Sequence, residues 1–120
     1  MRALNFCVMV LMVLFAAVQY NDPDGPLWVA IYAVPAFWAG VAAFKIDQAA
    51  KGIWFSILCI CFTGQLAVMI YYWPTIPSFW RQEIWWETES AREGMGAMIA
   101  VAAIAIPLAT VWNHRRRHQP

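Results

Sequence analysis

The stretch GIWFSILCICFTGQLAVMIYYW, residues 52–73, carries no charged side chain. A helix rises 1.5 Å per residue, so roughly 20 residues cross a hydrocarbon core of about 30 Å. This stretch is therefore long enough to span a bilayer. Outward from it, residues 3–20, 26–44 and 94–112 read the same way. The first of these is slightly short, and its polar neighbours Asn5 and Gln19 extend it toward the interfaces. Backbone groups in lipid must be satisfied within their own segment, and a β-barrel would show short alternating strands instead. The predicted fold is an all-α membrane protein: one domain over residues 1–120, a four-helix transmembrane bundle.

Composition agrees with a lipid solvent. Hydrophobic residues make up 62% of the 120 and charged residues 12%, with a mean hydropathy of +0.55. Soluble domains carry about 25% charged residues, because a folded surface must face water. A soluble chain of this length has no core large enough to hide so much apolar surface. Lipid around the helices removes the conflict.

Charge placement orients the bundle. Arg2 precedes the first segment, Lys45 and Lys51 flank the second break, and Arg115, Arg116 and Arg117 follow the last segment. In a four-span chain these ends share one side. The other side receives the 21–25 turn, which has no cation, and the 74–93 loop, where glutamates outnumber arginines. The excess of Lys and Arg in cytoplasmic loops places both termini in the cytoplasm and the chain in a cell (inner) membrane. A signal-peptide reading of the first segment, with Arg2 as its charged start and Ala16-Ala17 near a cleavage site, competes with this. Cleavage is not expected, because the new chain start would fall within the 21–25 turn.

The two breaks on the outer side carry the polar chemistry. Gln19-Tyr20-Asn21-Asp22-Pro23-Asp24-Gly25-Pro26 is a tight-turn sequence: Asn and Asp bond local backbone, Pro fixes φ and Gly accepts positive φ. Pro74 and Pro77 end the third segment. Residues 78–87, with Phe79, Trp80, Ile84, Trp85 and Trp86, read as a short amphipathic helix lying along the interface. Ser90-Ala91-Arg92-Glu93 has capping-box spacing, with Ser90 bonding forward and Glu93 back. Topology brings both breaks to one membrane face, so Asn21, Asp22, Asp24, Glu89, Arg92 and Glu93 form a polar cap, with Arg81, Glu83 and Glu87 nearby. The reading preferred here is a structural clamp in which Arg92 holds Asp22 or Asp24. The alternative is a ligand or divalent-cation site, since hard cations take oxygen ligands. The Asp-Pro-Asp-Gly run lacks the later ligands of a calcium loop.

At this point the residues resemble a family. Gln19-Tyr20-Asn21-Asp22-Pro23-Asp24, then Trp28 and Tyr32, and the distal Glu89-Ser90-Ala91-Arg92-Glu93-Gly94 are similar to the transmembrane protein 220 family over most of the chain. The resemblance implies a small helical membrane protein and marks residues 21–24 and 89–94 as signature segments. It supplies no catalytic residue. Trp28 and Tyr32, four apart, are expected to share one helix face near the outer surface.

At membrane depth the polar side chains are neutral. Gln65 should face inward and bond a neighbouring helix, with Thr63 two residues before it. Gly96, Ala100 and Ala103 form a small-residue stripe that permits close backbone approach, within the chain, with a second copy or with another membrane subunit. Pro35 and Pro107 each remove one ladder hydrogen bond, leaving carbonyls near Ile31 and Ala103 freer and kinking their helices. Cys59 and Cys61 point to nearly opposite sides of a helix, and Cys7 lies elsewhere, so small apolar packing is the expected role for all three. No disulfide is expected. The His114–His118 tail reads as a polybasic anchor to anionic lipid rather than a metal pair.

No nucleophile–base pair, phosphate loop or nucleic-acid surface is legible, and no cofactor is implied. The expected function is a non-enzymatic accessory or assembly component of the membrane. The alternative is a binding protein that uses the acidic cap.

Overall fold

The computed structural model of the chain describes residues 2–19, 25–73 and 89–117. Among them stand five helices and no strand: α1 Arg2–Ala17, α2 Gly25–Phe44, α3 Ile46–Ala49, α4 Gly52–Tyr71 and α5 Glu89–Arg117. Three of these, α2, α4 and most of α5, are long and apolar enough to cross a membrane; α1 is a shorter apolar helix. Its 16 residues amount to about 24 Å at 1.5 Å per residue, short of a full hydrocarbon core. The interfacial helix expected over residues 78–87 lies outside the described residues.

Helix ends differ from the sequence reading for local reasons. α1 closes at Ala17 rather than 20: the Gln19 N–H turns back to the Ala16 carbonyl, and its side-chain amide donates to the Phe15 carbonyl at 3.3 Å. Gln19 thus caps an end instead of lengthening the span. α4 stops at Tyr71, two residues before the expected 73, because Trp73 precedes Pro74 and that position disfavours helical backbone. The last turn tightens, with the Trp73 N–H on the Ile70 carbonyl at 3.3 Å. α5 is much longer than expected, 29 residues against 94–112. It already includes Glu89, so it begins ahead of the Ser90–Glu93 box, and Ser90 is not its first residue. At its other end residues 114–117 stay helical, as cations suit a helix C-terminus.

The second break contains a single helical turn. Lys45 leaves the helix at φ −138°, α3 follows, and Lys51 is extended at ψ 146° before α4. This turn packs under the end of α5.

The tertiary arrangement is a central pair with two flanks. α2 packs along α1 on one side and α5 on the other, and α5 packs along α4; α1 and α4 do not meet. Pairing of α2 with α5 depends on small residues. Ala36 and Ala39 of α2 share one buried cluster with Ala100 and Ala103 of α5, joined by Trp28, Ile31, Tyr32, Val8 and Met12. A second cluster, Trp38, Ala42, Ala49, Leu58, Ile104 and Val111, ties α2, α3, α4 and α5 together toward the cationic end. Lipid tails are as apolar as leucine, so this packing is favoured by close dispersion contact rather than by escape from water. The two shorter dimensions, 25 and 22 Å, accommodate about two helix diameters each.

Candidate functional site

Two polar junctions lie inside the bundle. In the first, Gln65 of α4, only 6% exposed, donates from Nε2 to the Ile31 carbonyl of α2 at 3.1 Å. That carbonyl would ordinarily receive the N–H of residue 35, which is proline and has none. The orphan acceptor created by Pro35 and the costly buried amide of Gln65 therefore satisfy each other across the helices. Gln65 Oε1 is buried without a hydrogen-bond partner among the described residues. Thr63, by contrast, is exposed, and its hydroxyl donates to the Cys59 carbonyl of its own helix at 2.9 Å. It takes no part in the junction.

The second junction was not legible in the sequence. Asn5 is fully buried, and its Nδ2 donates to Thr110 Oγ1 at 2.9 Å, joining the start of α1 to the last third of α5. The Thr110 hydroxyl in turn donates a hydrogen bond to the Ile106 carbonyl at 2.8 Å. Asn5 reads in sequence as an end residue, yet Asn5, Val8 and Met12 are the buried positions of α1. Their three-and-four spacing is the signal that would have placed the amide on the packed face.

Toward the other end of the bundle, aromatic rings from three helices interlock. Tyr32 stands edge-on to Phe15, with centroids 5.4 Å apart, and tilts against Trp28 at 6.0 Å; Trp28 meets Tyr72 at 5.2 Å. Trp28 and Tyr32 do share a face, and it is a buried one. The Tyr32 hydroxyl lies directly over Gly96, where a Cβ would overlap it, with the Trp28 ring also in contact range. The stripe of Gly96, Ala100 and Ala103 is thus covered by α2 of the same chain.

Of the expected polar cap, Asn21, Asp22 and Asp24 lie outside the described residues, as do the side chains of Glu89 and Arg92. Glu93 is half-buried one turn before Gly96, at the same end as the aromatic cluster. No group of three or more His, Cys, Asp or Glu side chains suited to a metal ion occurs among the described residues. Cys7, Cys59 and Cys61 are free thiols.

The opposite end collects the cations. Arg2 lies over the Phe44 ring, 5.6 Å from its centroid. Asp47 of α3 meets His114 Nε2 at 3.0 Å. Arg115 donates to the Ala50 carbonyl and lies over Phe55, 4.6 Å from its centroid. Asp47 also escaped the sequence reading. Its signal is that no other carboxylate falls among the six cations of this side.

The family model described as "Transmembrane family 220, helix" matches residues 11–109. The chain belongs to that family. Transmembrane protein 220 of Xenopus laevis is 31% identical over 98 residues, covering 82% of this chain and 53% of the relative. The chain spans about half the length of that relative. No solved structure matches. The segment shared with the transmembrane 220 family includes Pro35, Gln65, Gly96 and both expected cap segments. It stops short of Asn5, Thr110 and the His-Arg end of α5.

Proposed function

We propose that the chain is a four-span, non-enzymatic accessory or assembly component of the cell membrane, with both termini on the cytoplasmic side. One observation carries the reading. The start of α1, the end of α2, α3, the start of α4 and the end of α5 come together with six cations and one carboxylate, while the remaining segments hold six carboxylates and two cations. Such asymmetry is the topological signal that keeps one face in the cytoplasm. α1 joins the spans if the bilayer thins around it, an adjustment that costs fractions of a kcal/mol per Å of mismatch. The interior supports an accessory role: among the described residues the buried polar side chains, Asn5, Gln65 and Thr110, are neutral and join helices. Self-association through Gly96, Ala100 and Ala103 would compete with their packing against α2.

In this reading Asn21, Asp22, Asp24, Glu89, Arg92 and Glu93 form the extracytoplasmic cap, with Arg92 clamping the first hairpin. The alternative, a cap that binds a ligand or divalent cation, is favoured by one feature: α2 and α5 both begin at the end opposite the cations, immediately beside these acidic segments.

The test is accessibility of single cysteines in sealed vesicles after Cys7, Cys59 and Cys61 are replaced. Probes at positions 24 and 89 should label from outside, and probes at 51 and 117 only from within. Positions 24 and 89 on different sides of the membrane would end the four-span reading. For the cap, Asp22→Asn and Arg92→Gln should be strongly non-additive in stability if they form a clamp. Thermal stabilisation by calcium that vanishes in Asp22→Asn/Asp24→Asn would favour a cation site instead.

A further inference from the structure

We infer that Asn113, Arg116 and Arg117, at the cationic end of α5, bind the phosphate of an anionic phospholipid headgroup. Four consecutive basic residues end this helix, and the fold divides them into two groups. His114 and Arg115 are half-buried and turned inward, to Asp47 and to Ala50 and Phe55. Arg116 and Arg117 are exposed and line a cleft of about 380 Å³ together with Asn113. Positions 113, 116 and 117 stand at i, i+3 and i+4 on a helix, so two guanidinium forks and one amide donor converge from a single face.

The chemistry selects an anion with several acceptor oxygens. Guanidinium groups bind phosphate through paired, charge-assisted hydrogen bonds, and the Asn113 amide adds a neutral donor. The helix C-terminus opposes this with about half a negative charge, which two full positive charges outweigh. Asp47, the sole carboxylate on this side, is engaged by His114. Depth identifies the source of the phosphate. Trp112, next to Asn113, is half-exposed and stacks on Phe55 at 6.0 Å. An indole with one wet edge marks the headgroup level, where the phosphates of lipids are fixed and concentrated. The inference needs only that α5 crosses the bilayer, and it is independent of the acidic cap.

The experiment titrates the detergent-solubilised full chain with phosphatidylglycerol or phosphatidylcholine and counts bound lipid by native mass spectrometry. Phosphatidylglycerol should bind the unaltered chain in preference to phosphatidylcholine, and R116Q/R117Q should weaken it about thirtyfold. R115Q should keep most of the preference, since that guanidinium is committed elsewhere. Equal binding of the two lipids by the unaltered chain overturns the inference, and so does an undiminished preference in R116Q/R117Q. Inorganic phosphate at the lipid's concentration should not displace it; displacement assigns the cleft to a free anion and overturns the lipid assignment. A measurement without substitutions serves if the double variant misfolds: rising sodium chloride should erase the preference, and its persistence at 1 M salt would count against the site.

Discussion

The most apolar stretches of α4 and α5 have the same mean hydropathy, yet 11% of that stretch is buried within the bundle in α4 and 50% in α5. α5 presents Gly96, Ala97, Ala100 and Ala103 to its neighbours, so backbones approach closely and large rings from α2 fill the space. α4 buries only Leu58 and Gln65, while Ile53, Ile60 and Ile70 face outward. Hydropathy measures the medium a helix tolerates. Side-chain size and a few hydrogen bonds decide which helix it adopts as a neighbour.

Two glycines probe the difference most strongly. Gly96→Ala should destabilise the bundle by about 1–3 kcal/mol, because Tyr32, pinned between Phe15 and Trp28, cannot yield. Tyr32→Phe in the same chain should recover much of that loss by removing the overlapping hydroxyl. Gly64→Ala on α4 meets nothing within 4 Å and should be neutral or slightly stabilising through helix propensity. Unfolding in mixed detergent micelles would measure all three; equal losses at 96 and 64 would erase the contrast between the helices.

Gln65 is where α4 resembles α5 most. Gln65→Leu should cost about 1 kcal/mol, near the upper range for hydrogen bonds between membrane helices. Pro35→Ala restores an N–H to the Ile31 carbonyl, so the loss from Gln65→Leu should shrink toward zero in that background. Additive behaviour in this double-mutant cycle would disprove the pairing of amide and proline.

A somewhat smaller effect is expected where α1 meets α5. Thr110→Val removes the acceptor of Asn5 and should cost about 0.6 kcal/mol, the average for such bonds in a membrane. Asn5→Val should couple to it, because both substitutions break one bond. Asp47→Asn should change stability little, since the carboxylate is almost entirely exposed and such pairs contribute little. Its visible consequence should instead be greater protease access to residues 45–51.

How much could be read beforehand varies with the physics of each feature. The apolar segments were legible because an uninterrupted run of this kind has one stable solvent. Gln65 was legible as glue, and Ile31 as a loosened carbonyl, because each is a local rule about an unsatisfied polar group. That the two are partners was not, since 34 residues separate them and no local rule links α2 to α4. Asn5 was misread as an end residue for a related reason: its meaning depends on Thr110, 105 residues away. Helix ends differ from the hydropathy-based span limits where end chemistry acts, at the Gln19 cap, before Pro74 and along the basic end of α5.

Composition alone settles the solvent and the helical backbone, because an unpaired peptide group in hydrocarbon costs more than any rearrangement of side chains can return. The uneven charge then marks which ends stay together. Neighbours are another matter. Every face of an apolar helix is equally welcome in lipid, so the placement of α2 against α5, the exposure of α4 and the enclosure of the small-residue stripe depend on shape. Shape is expressed only when the helices pack: a ring over a glycine, an amide on a carbonyl that proline left open, a histidine on an aspartate two helices away.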